Sequence, residues 1–448
     1  MKPSVLPLFL AALVAAPSVR AHSGPLDPGF GAGGMQHYGF QGQPGPNGNG
    51  DAARVGCPGP NGTFVVVGSA SGGHRIVTTR LRPDGELDAS FSGDGKESFD
   101  FDGSTAFGVY APAVCLPGGD AVIAHVITDD TGEQDLRLVR VGRDTGLPVT
   151  GFGNGGVVDI DLDDYIAGLS KSEVPVGLNV LANGDLVVTG YVSSSTIPIA
   201  GFAAVLDASG LVRTAKVVDC WVTSAALDGP QGRLWVFGST GYNACRLTLE
   251  PGTLAQDERL VGPATPAQYP GAARLVRADT VAMAVTMFAP AGGSGIRPAL
   301  QVFRGNQVAS MPLPVPAATS LPTSAVSYPG VQILPGSRVL YGSTAIDMAN
   351  GAADGLYFAL ARIGRDAAGD ALETAFGGGG VRLARFQPDT PGCQAATPTQ
   401  YLYRMTQWQG RPTFVGKADA SCINADVAGE DYLVGRLETN YLFADGFD

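Results

Sequence analysis

The chain has 448 residues, only 16% of which are charged, and it carries a formal net charge of −12. This acidic balance argues against nucleic acid as a partner, because phosphates require a basic protein surface. The high content of glycine (64) and proline (32) favours many short strands joined by turns over long helices.

The first 21 residues have the features of a secretory signal peptide. Lys2 gives a positive start, and Leu6–Ala16 is an apolar run too short to span a membrane, which needs roughly 20 residues. Small residues favour cleavage after Ala21, and a retained signal anchor is the alternative interpretation. We therefore expect a secreted, cell-surface or periplasmic protein, and no later run predicts a membrane span.

A repeat begins directly after this segment. Phe30, Phe91 and Phe152 are each 61 residues apart and lie in similar glycine-rich segments, and a fourth copy surrounds Phe376. A fixed period of this size indicates a repeat architecture in which each copy is one supersecondary unit.

Each unit predicts four short strands. In the third unit these are Val157–Ile160, Val176–Leu181, Asp185–Tyr191 and Gly201–Leu206. Asn183-Gly184 lies between the second and third strands and is a typical hairpin turn, because both of its residues tolerate positive φ. Similar tight turns recur along the chain at the equivalent place.

These units cover most of the chain. The repeat predicts one domain over residues 22–440, followed by a separate tail at 441–448. The units are about 24–84, 85–145, 146–209, 210–251, 252–305, 306–370 and 371–440. We predict an all-β fold, a single β-propeller of about seven four-stranded antiparallel blades, with six or eight blades as alternatives. A β-solenoid is the second choice, since its coils usually have roughly 20–30 residues.

The repeat resembles the delta-60 repeat of secreted bacterial proteins. The resemblance is clear in units one to three, six and seven and weak between about 210 and 305. It rests on Gly85-Glu-Leu-Asp-Ala-Ser-Phe-Ser-Gly-Asp-Gly95, Leu81-Arg-Pro-Asp-Gly85, Leu138-Val-Arg-Val-Gly142, Leu360-Ala-Arg-Ile-Gly364 and Asn183-Gly-Asp-Leu-Val-Val-Thr-Gly190. It implies a propeller-like fold and no particular activity.

The recurring motif itself predicts structure and not chemistry. We expect Asp27 and Asp88 to accept hydrogen bonds from their own downstream backbone and so shape a turn. The motif phenylalanines should pack between blades, and the glycines should supply positive φ angles.

A group of carboxylates after the third motif is a candidate metal site. Alternation along a strand would place Asp159, Asp161 and Asp163 on one face, where their oxygens could hold calcium. A solvated edge strand is the alternative, and no other cofactor is expected.

Six cysteines in an exported chain predict up to three disulfides. Placement within the predicted blades pairs Cys220 with Cys245 and Cys393 with Cys422. Elimination leaves Cys57 and Cys115, which would bridge neighbouring blades or remain two free buried thiols.

No catalytic motif is present: the chain lacks a Gly-x-Ser-x-Gly elbow, a His-Glu-x-x-His helix and a Walker loop. We therefore predict no catalytic residues and a monomeric, non-enzymatic binding module for an extracellular protein or glycan. A hydrolase or lyase acting on an extracellular polymer is the alternative. An enzyme should have shifted carboxylates or a metal in the central channel, and a scaffold should have backbone and small side chains there.

Two further sets of residues bear on binding. Trp221, Trp235 and Trp408 are candidate sugar-stacking platforms. Long connections should all emerge at one end of the blades, and we expect a partner to dock there. Examples of these connections are Gly42–Gly50, Thr128–Gln134, Ser193–Pro198 and Ala289–Arg297.

Overall fold

The structure is a computed structural model that describes residues 26–31, 33–40, 49–70, 75–100, 111–128, 132, 134–166, 172–193, 200–240, 243–262, 267–288, 296–316, 319–321, 329–347, 355–377, 379–384, 399–419 and 429–438. Within these residues the chain forms 31 strands and five short 3-10 turns, with no α-helix. The predicted all-β class is therefore confirmed. No helix in this part of the chain is long and apolar enough to cross a membrane.

The strands are short, as the glycine and proline content predicts. They are β1 (Met35–Tyr38), β2 (Asn49–Gly50), β3 (Ala52–Pro58), β4 (Phe64–Ala70), β5 (Arg75–Leu81), β6 (Lys96–Asp100), β7 (Ala113–Cys115), β8 (Ala121–Thr128), β9 (Gln134–Val141), β10 (Val157–Ile160), β11 (Ser172–Val180), β12 (Leu186–Ser193), β13 (Ala200–Leu206), β14 (Val212–Val218), β15 (Trp221–Asp228), β16 (Leu234–Thr240), β17 (Asn243–Leu249), β18 (Gln256–Val261), β19 (Ala267–Arg277), β20 (Thr280–Phe288), β21 (Ile296–Arg304), β22 (Gln307–Pro312), β23 (Thr319–Ser320), β24 (Gly330–Leu334), β25 (Arg338–Asp347), β26 (Gly355–Arg362), β27 (Ala371–Leu372), β28 (Val381–Ala384), β29 (Gln400–Trp408), β30 (Arg411–Asp419) and β31 (Gly429–Arg436). The 3-10 turns are Pro60–Gly62, Leu162–Asp164, Pro230–Gly232, Pro335–Ser337 and Ala367–Gly369.

Most strands form consecutive groups of four antiparallel neighbours. In chain order these groups are β3–β6, β7–β10, β11–β14, β15–β18 and β19–β22. A further group combines β24, β25, β26 and β28, with the short strands β23 and β27 at its margins. The last group combines β29, β30 and β31 with β1 and β2. The described strands make six sheets, because one parallel bridge between Ser172 and Gln134 joins two groups into an eight-stranded sheet.

The first strand of each group contacts the first strand of the next. These contacts run from β3 to β7, β11, β15, β19, β24 and β29, and β29 in turn contacts β3. The groups therefore follow one another in a closed cycle, with their first strands innermost. This is the arrangement of a propeller-like fold, in which neighbouring sheets bury their apolar faces against each other.

The repeating unit of the sequence and the four-stranded group of the structure begin at different strands, one strand apart. We expected Val157–Ile160 to be the first strand of the third unit, but as β10 it pairs with β9 of the preceding group. The motif between β9 and β10 causes this, because it folds back on β9: Val149 N donates to Arg140 O (2.9 Å), and Arg140 N donates to Gly156 O (3.0 Å). The strand after the motif is thereby held antiparallel to the strand before it.

The same offset joins the two ends of the described chain. The strand after the first motif, β1, pairs with β31 of the last group from Met35↔Gly435 to Tyr38↔Tyr432. Asp27 lies beside this junction, and its carboxylate accepts a bond from Arg436 Nε (2.7 Å) and contacts Arg411. The sequence left this closure open, and the structure makes it with two N-terminal strands, because β2 also pairs with β31, in parallel, at Asn49↔Gly429 and Gly50↔Glu430.

The repeated motif folds as predicted. Asp27 Oδ1 accepts from Gly29 N (3.0 Å), and Asp88 Oδ1 accepts from Ser90 N (3.1 Å). Phe30 is buried in a cluster that combines the first and last groups, 5.8 Å from the ring of Trp408. Gly34 has φ +96°, and a Cβ there would lie 2.4 Å from Leu26 Cβ, so that this turn requires glycine.

Two disulfides are present among the described cysteines. Cys220 bonds Cys245 within the β15–β18 region, as the blade phasing predicts, with Cα atoms 6.5 Å apart. Cys57 bonds Cys115, with Cα atoms 5.5 Å apart. This bridge forms because both residues lie on innermost strands, β3 and β7, where neighbouring groups approach closely. Cys393 and Cys422 lie outside the described residues.

Candidate functional site

A cavity of about 300 Å³ lies among the innermost strands. Six of these strands contribute to it, β3, β7, β11, β19, β24 and β29, so it lies at the centre of the cycle. The lining residues are Val55, Val114, Cys115, Asn179, Val180, Arg274, Gln332, Arg404, Met405 and Thr406. Several of them precede tight hairpins, which places the cavity toward the end opposite the long connections.

Two arginines define the electrostatics of this cavity. Arg274 projects from β19 and Arg404 from β29, and Arg274 Nη1 donates to Ala273 O (2.9 Å). Burial lowers the pKa of both side chains. For Arg404, burial and then the charge of Arg274 lower the pKa to about 9, which leaves Arg404 charged at neutral pH. A guanidinium group keeps its proton in proteins, so Arg274 is charged as well. Two like charges therefore face one cavity.

The other lining groups do not neutralise this charge. None of the described residues that line the cavity carries a carboxylate, and its remaining polar side chains are Asn179, Gln332 and Thr406. The cavity thus differs from both expectations, since it has neither the convergent carboxylates expected of an enzyme nor a purely backbone and small-residue lining. Its chemistry is that of an anion site, because guanidinium groups bind carboxylates and sulfate-like groups through paired hydrogen bonds.

The predicted calcium ligands divide between two places. Asp159 lies in β10 and forms a two-bond ion pair with Arg137 (2.5 and 2.6 Å), so it is not part of the acidic cluster. Asp161 and Asp163 lie beyond the end of β10, where Asp161 caps a 3-10 turn by accepting from Asp163 N (2.8 Å). The alternation rule fails here because the strand ends at Ile160.

The structure adds a third carboxylate that the sequence argument missed. Ligand oxygens of Asp161, Asp163 and Glu173 all lie within 4.8 Å of one another. Glu173 is the second residue of β11 and is only 2% exposed. Burial, and then the charges of Asp135, Asp163 and Asp161, raise its pKa to about 8. Glu173 could have been identified from the sequence as an acidic residue at a core-facing position of an apolar strand.

The tryptophans offer little surface for sugar stacking. Trp235 and Trp408 are buried, and Trp408 stacks on Phe64 at 4.6 Å. Trp221 is 39% exposed and meets the ring of Tyr191 edge to face. Of the long connections predicted as a docking face, most residues lie outside the described part of the chain, so that expectation remains a prediction.

Comparison with known proteins bears on the fold alone. No family model and no curated protein sequence matches this chain. Among solved structures it is similar to an ulvan lyase bound to a glycan of GlcA and Rha3S units, at 10% identity over 89% of this chain and 96% of that one (TM-score 0.46). It is also similar to the Dos1 propeller, at 11% identity over 90% and 94% (TM-score 0.44).

A further similar structure is the polysaccharide lyase Uly1, at 12% identity over 56% of this chain and 57% of that one (TM-score 0.36). This chain therefore spans just over half the length of that lyase. At these identities and TM-scores a likeness gives no argument for a shared activity, and a function has to be derived from the residues of the cavity.

Proposed function

We propose that this chain is an exported, seven-bladed propeller that acts as a binding module and holds a small acidic group of its ligand at Arg274 and Arg404. The arginine pair in the central cavity carries the proposal. The blade count is supported by the cycle of innermost strands and by the 61-residue repeat. Export is supported by the N-terminal segment and is compatible with the two disulfides.

An anion would remove an unfavourable charge arrangement. The two guanidinium groups repel each other and have lost part of their hydration, which is costly unless an opposite charge is supplied. Because none of the described lining residues is a carboxylate, a ligand carboxylate or sulfate fits this position. Such a ligand gains charge-assisted hydrogen bonds to partly buried guanidinium groups, where they are stronger than at a fully exposed surface.

The size of the cavity narrows the ligand class. A volume of about 300 Å³ is at the lower end for small-molecule sites and is too small for a folded protein surface. A sugar residue with a carboxylate or sulfate group fits both the volume and the charge. An acidic glycan is therefore the ligand class that we propose.

The proposal is tested by calorimetric titration of the mature protein with glucuronate, with sulfate and with uncharged glucose. We expect the two anions to bind and glucose not to bind. Arg274→Gln and Arg404→Gln should each weaken anion binding at least about tenfold, because a hydrogen bond to a charged group contributes roughly 1.5–3 kcal/mol. Arg82→Gln is the matched control, since Arg82 is half exposed beside Asp84 and away from the cavity.

Stability separates a binding role from a structural one. Each glutamine variant should be at least as stable as the wild type without ligand, because it removes one of two repelling charges. Loss of folding in both variants, or unchanged anion binding in the double variant, would contradict the proposal. Release of new reducing ends from an acidic polysaccharide by the wild type would favour the hydrolase or lyase alternative.

A further inference from the structure

The acidic cluster of Asp161, Asp163 and Glu173 is built by two separate elements. The first two residues belong to the turn after β10, where the bond from Asp163 N to Asp161 Oδ1 fixes their relative position. Glu173 comes from β11 of the next group and lies beside this turn. The cluster therefore lies where one four-stranded group ends and the next begins, at the end of the long connections.

Glu173 makes this cluster more than a set of exposed acids. Its side chain is buried, and its Oε2 has no hydrogen-bond partner among the described residues. The charges that act on it are those of Asp135, Asp163 and Asp161, all of them negative. A buried carboxylate oxygen normally has a donor or a cation beside it, because its desolvation is otherwise uncompensated.

We propose that Asp161, Asp163 and Glu173 bind one calcium ion that joins the β7–β10 group to the β11–β14 group. Three carboxylates provide between three and six hard oxygen ligands, and water and backbone oxygens can complete the six to eight that calcium takes. Asp161 is exposed and gives the ion a path from solvent.

The chemistry of the ligands favours calcium over other common ions. The cluster offers three carboxylates whose oxygens all lie within 4.8 Å of one another, close enough to reach one ion. Calcium accepts an irregular set of carboxylate ligands, whereas magnesium demands near-octahedral geometry and is usually held by one or two carboxylates together with several waters. Zinc and copper are disfavoured because this set contains neither imidazole nor thiolate.

A calcium ion here would connect the two groups of strands. Among the described residues, the strands of the two groups pair at the parallel bridge from Ser172 to Gln134, next to Glu173. Calcium would add a second connection at the same place. None of the three ligands lines the central cavity, so this inference is independent of the proposed anion site.

Titration of the chelator-treated mature protein with calcium chloride tests the proposal. We expect one site with a dissociation constant in the 10⁻⁵–10⁻³ M range, which spans sensor and extracellular calcium modules. We also expect the melting temperature to rise with calcium concentration, because the ion binds only the folded chain. Magnesium chloride should bind at least about tenfold more weakly.

Matched variants assign the ligands. Glu173→Gln, which keeps the shape of the side chain, should weaken calcium binding at least about tenfold while leaving the calcium-free protein at least as stable as the wild type. Asp159→Asn is the control, because Asp159 lies two residues before Asp161 but pairs with Arg137. It should bind calcium as the wild type does.

Several outcomes would overturn the proposal. These are the absence of any calcium effect on heat or melting temperature at millimolar calcium, equal affinity for magnesium, or equal calcium affinity in Glu173→Gln and the wild type.

Discussion

Replacing Asp27 with alanine is expected to lower the free energy of unfolding by about 3–5 kcal/mol, as measured by denaturant unfolding of the mature protein. The Asp27 and Arg436 side chains are only 7% and 6% exposed and form an ion pair at 2.7 Å. Removing one partner leaves a buried guanidinium without its charge partner. The loss should be large because this pair also ties the N-terminal segment to the last group.

Asp88→Ala is the matched control. Asp88 has the same place in its motif and pairs with Arg80 at 2.7 Å, but the two side chains are more exposed and lie within one group. Its substitution should therefore cost clearly less than that of Asp27. Equal losses for the two variants would show that closure of the ring does not depend on the Asp27 pair.

The same pair predicts a dependence on pH. Burial raises the pKa of Asp27, but the hydrogen bond from Gly29 and the charges of Arg436 and Arg411 outweigh it, so that the pKa lies below its usual value of 3.8. A carboxylate with a lowered pKa in the folded state contributes stability above its unfolded pKa and loses it as pH falls. The melting temperatures of the wild type and Asp27→Asn should therefore differ at neutral pH and converge below about pH 4. A constant difference across this range would argue against the assignment.

Local features of the fold could be predicted from the sequence because short segments determine them. The turn bonds of Asp27 and Asp88 depend on residues two positions away. A tight turn was predicted at Asn183-Gly184, and Gly184 indeed has positive φ, although Asn183 does not. Such conformations are set by backbone sterics, which residue type reveals directly.

The candidate sites could not be predicted in the same way. Arg274 and Arg404 are 130 residues apart, and only the closed cycle of strands brings them to one cavity. The expectation for Asp159, Asp161 and Asp163 assumed one continuous strand. Residues in a 3-10 turn rotate by roughly 120° and not 180°, so the turn separates Asp159 from the cluster and brings Glu173 into it.

The offset between unit and sheet was also beyond the sequence argument. The period of the repeat and the residue types at the turns define where strands lie. A strand at the boundary between two units, however, can pair with the strand before it or with the strand after it. Hydrogen bonds of the motif backbone to Arg140 decide in favour of the strand before. The first motif makes the equivalent bonds to Arg436, since Asp27 N donates to Arg436 O (2.9 Å) and Arg436 N donates to Gly34 O (2.9 Å), and β1 is thereby held against β31.

Loss of the Cys57–Cys115 bridge is expected to lower the free energy of unfolding by about 4 kcal/mol in Cys57→Ala/Cys115→Ala. The estimate follows from loop entropy, since the bridge closes a loop with a sequence separation of 58 residues. Cys220–Cys245 has a separation of 25 residues, and its double variant should lose about 3.5 kcal/mol. Denaturant unfolding of the oxidised proteins measures both values.

The two bridges also differ in what they hold together. Cys220 and Cys245 lie in one blade region, whereas Cys57 and Cys115 connect the innermost strands of two groups. Loop entropy and this connection both predict the larger loss for Cys57→Ala/Cys115→Ala. The cost of lost packing is similar in the two double variants, because each removes two sulfur atoms. A larger loss for Cys220→Ala/Cys245→Ala would contradict this.

Non-reducing peptide mapping tests the predicted bridge between Cys393 and Cys422. A Cys220–Cys422 or Cys245–Cys393 peptide would refute both this pairing and the phasing of the repeat.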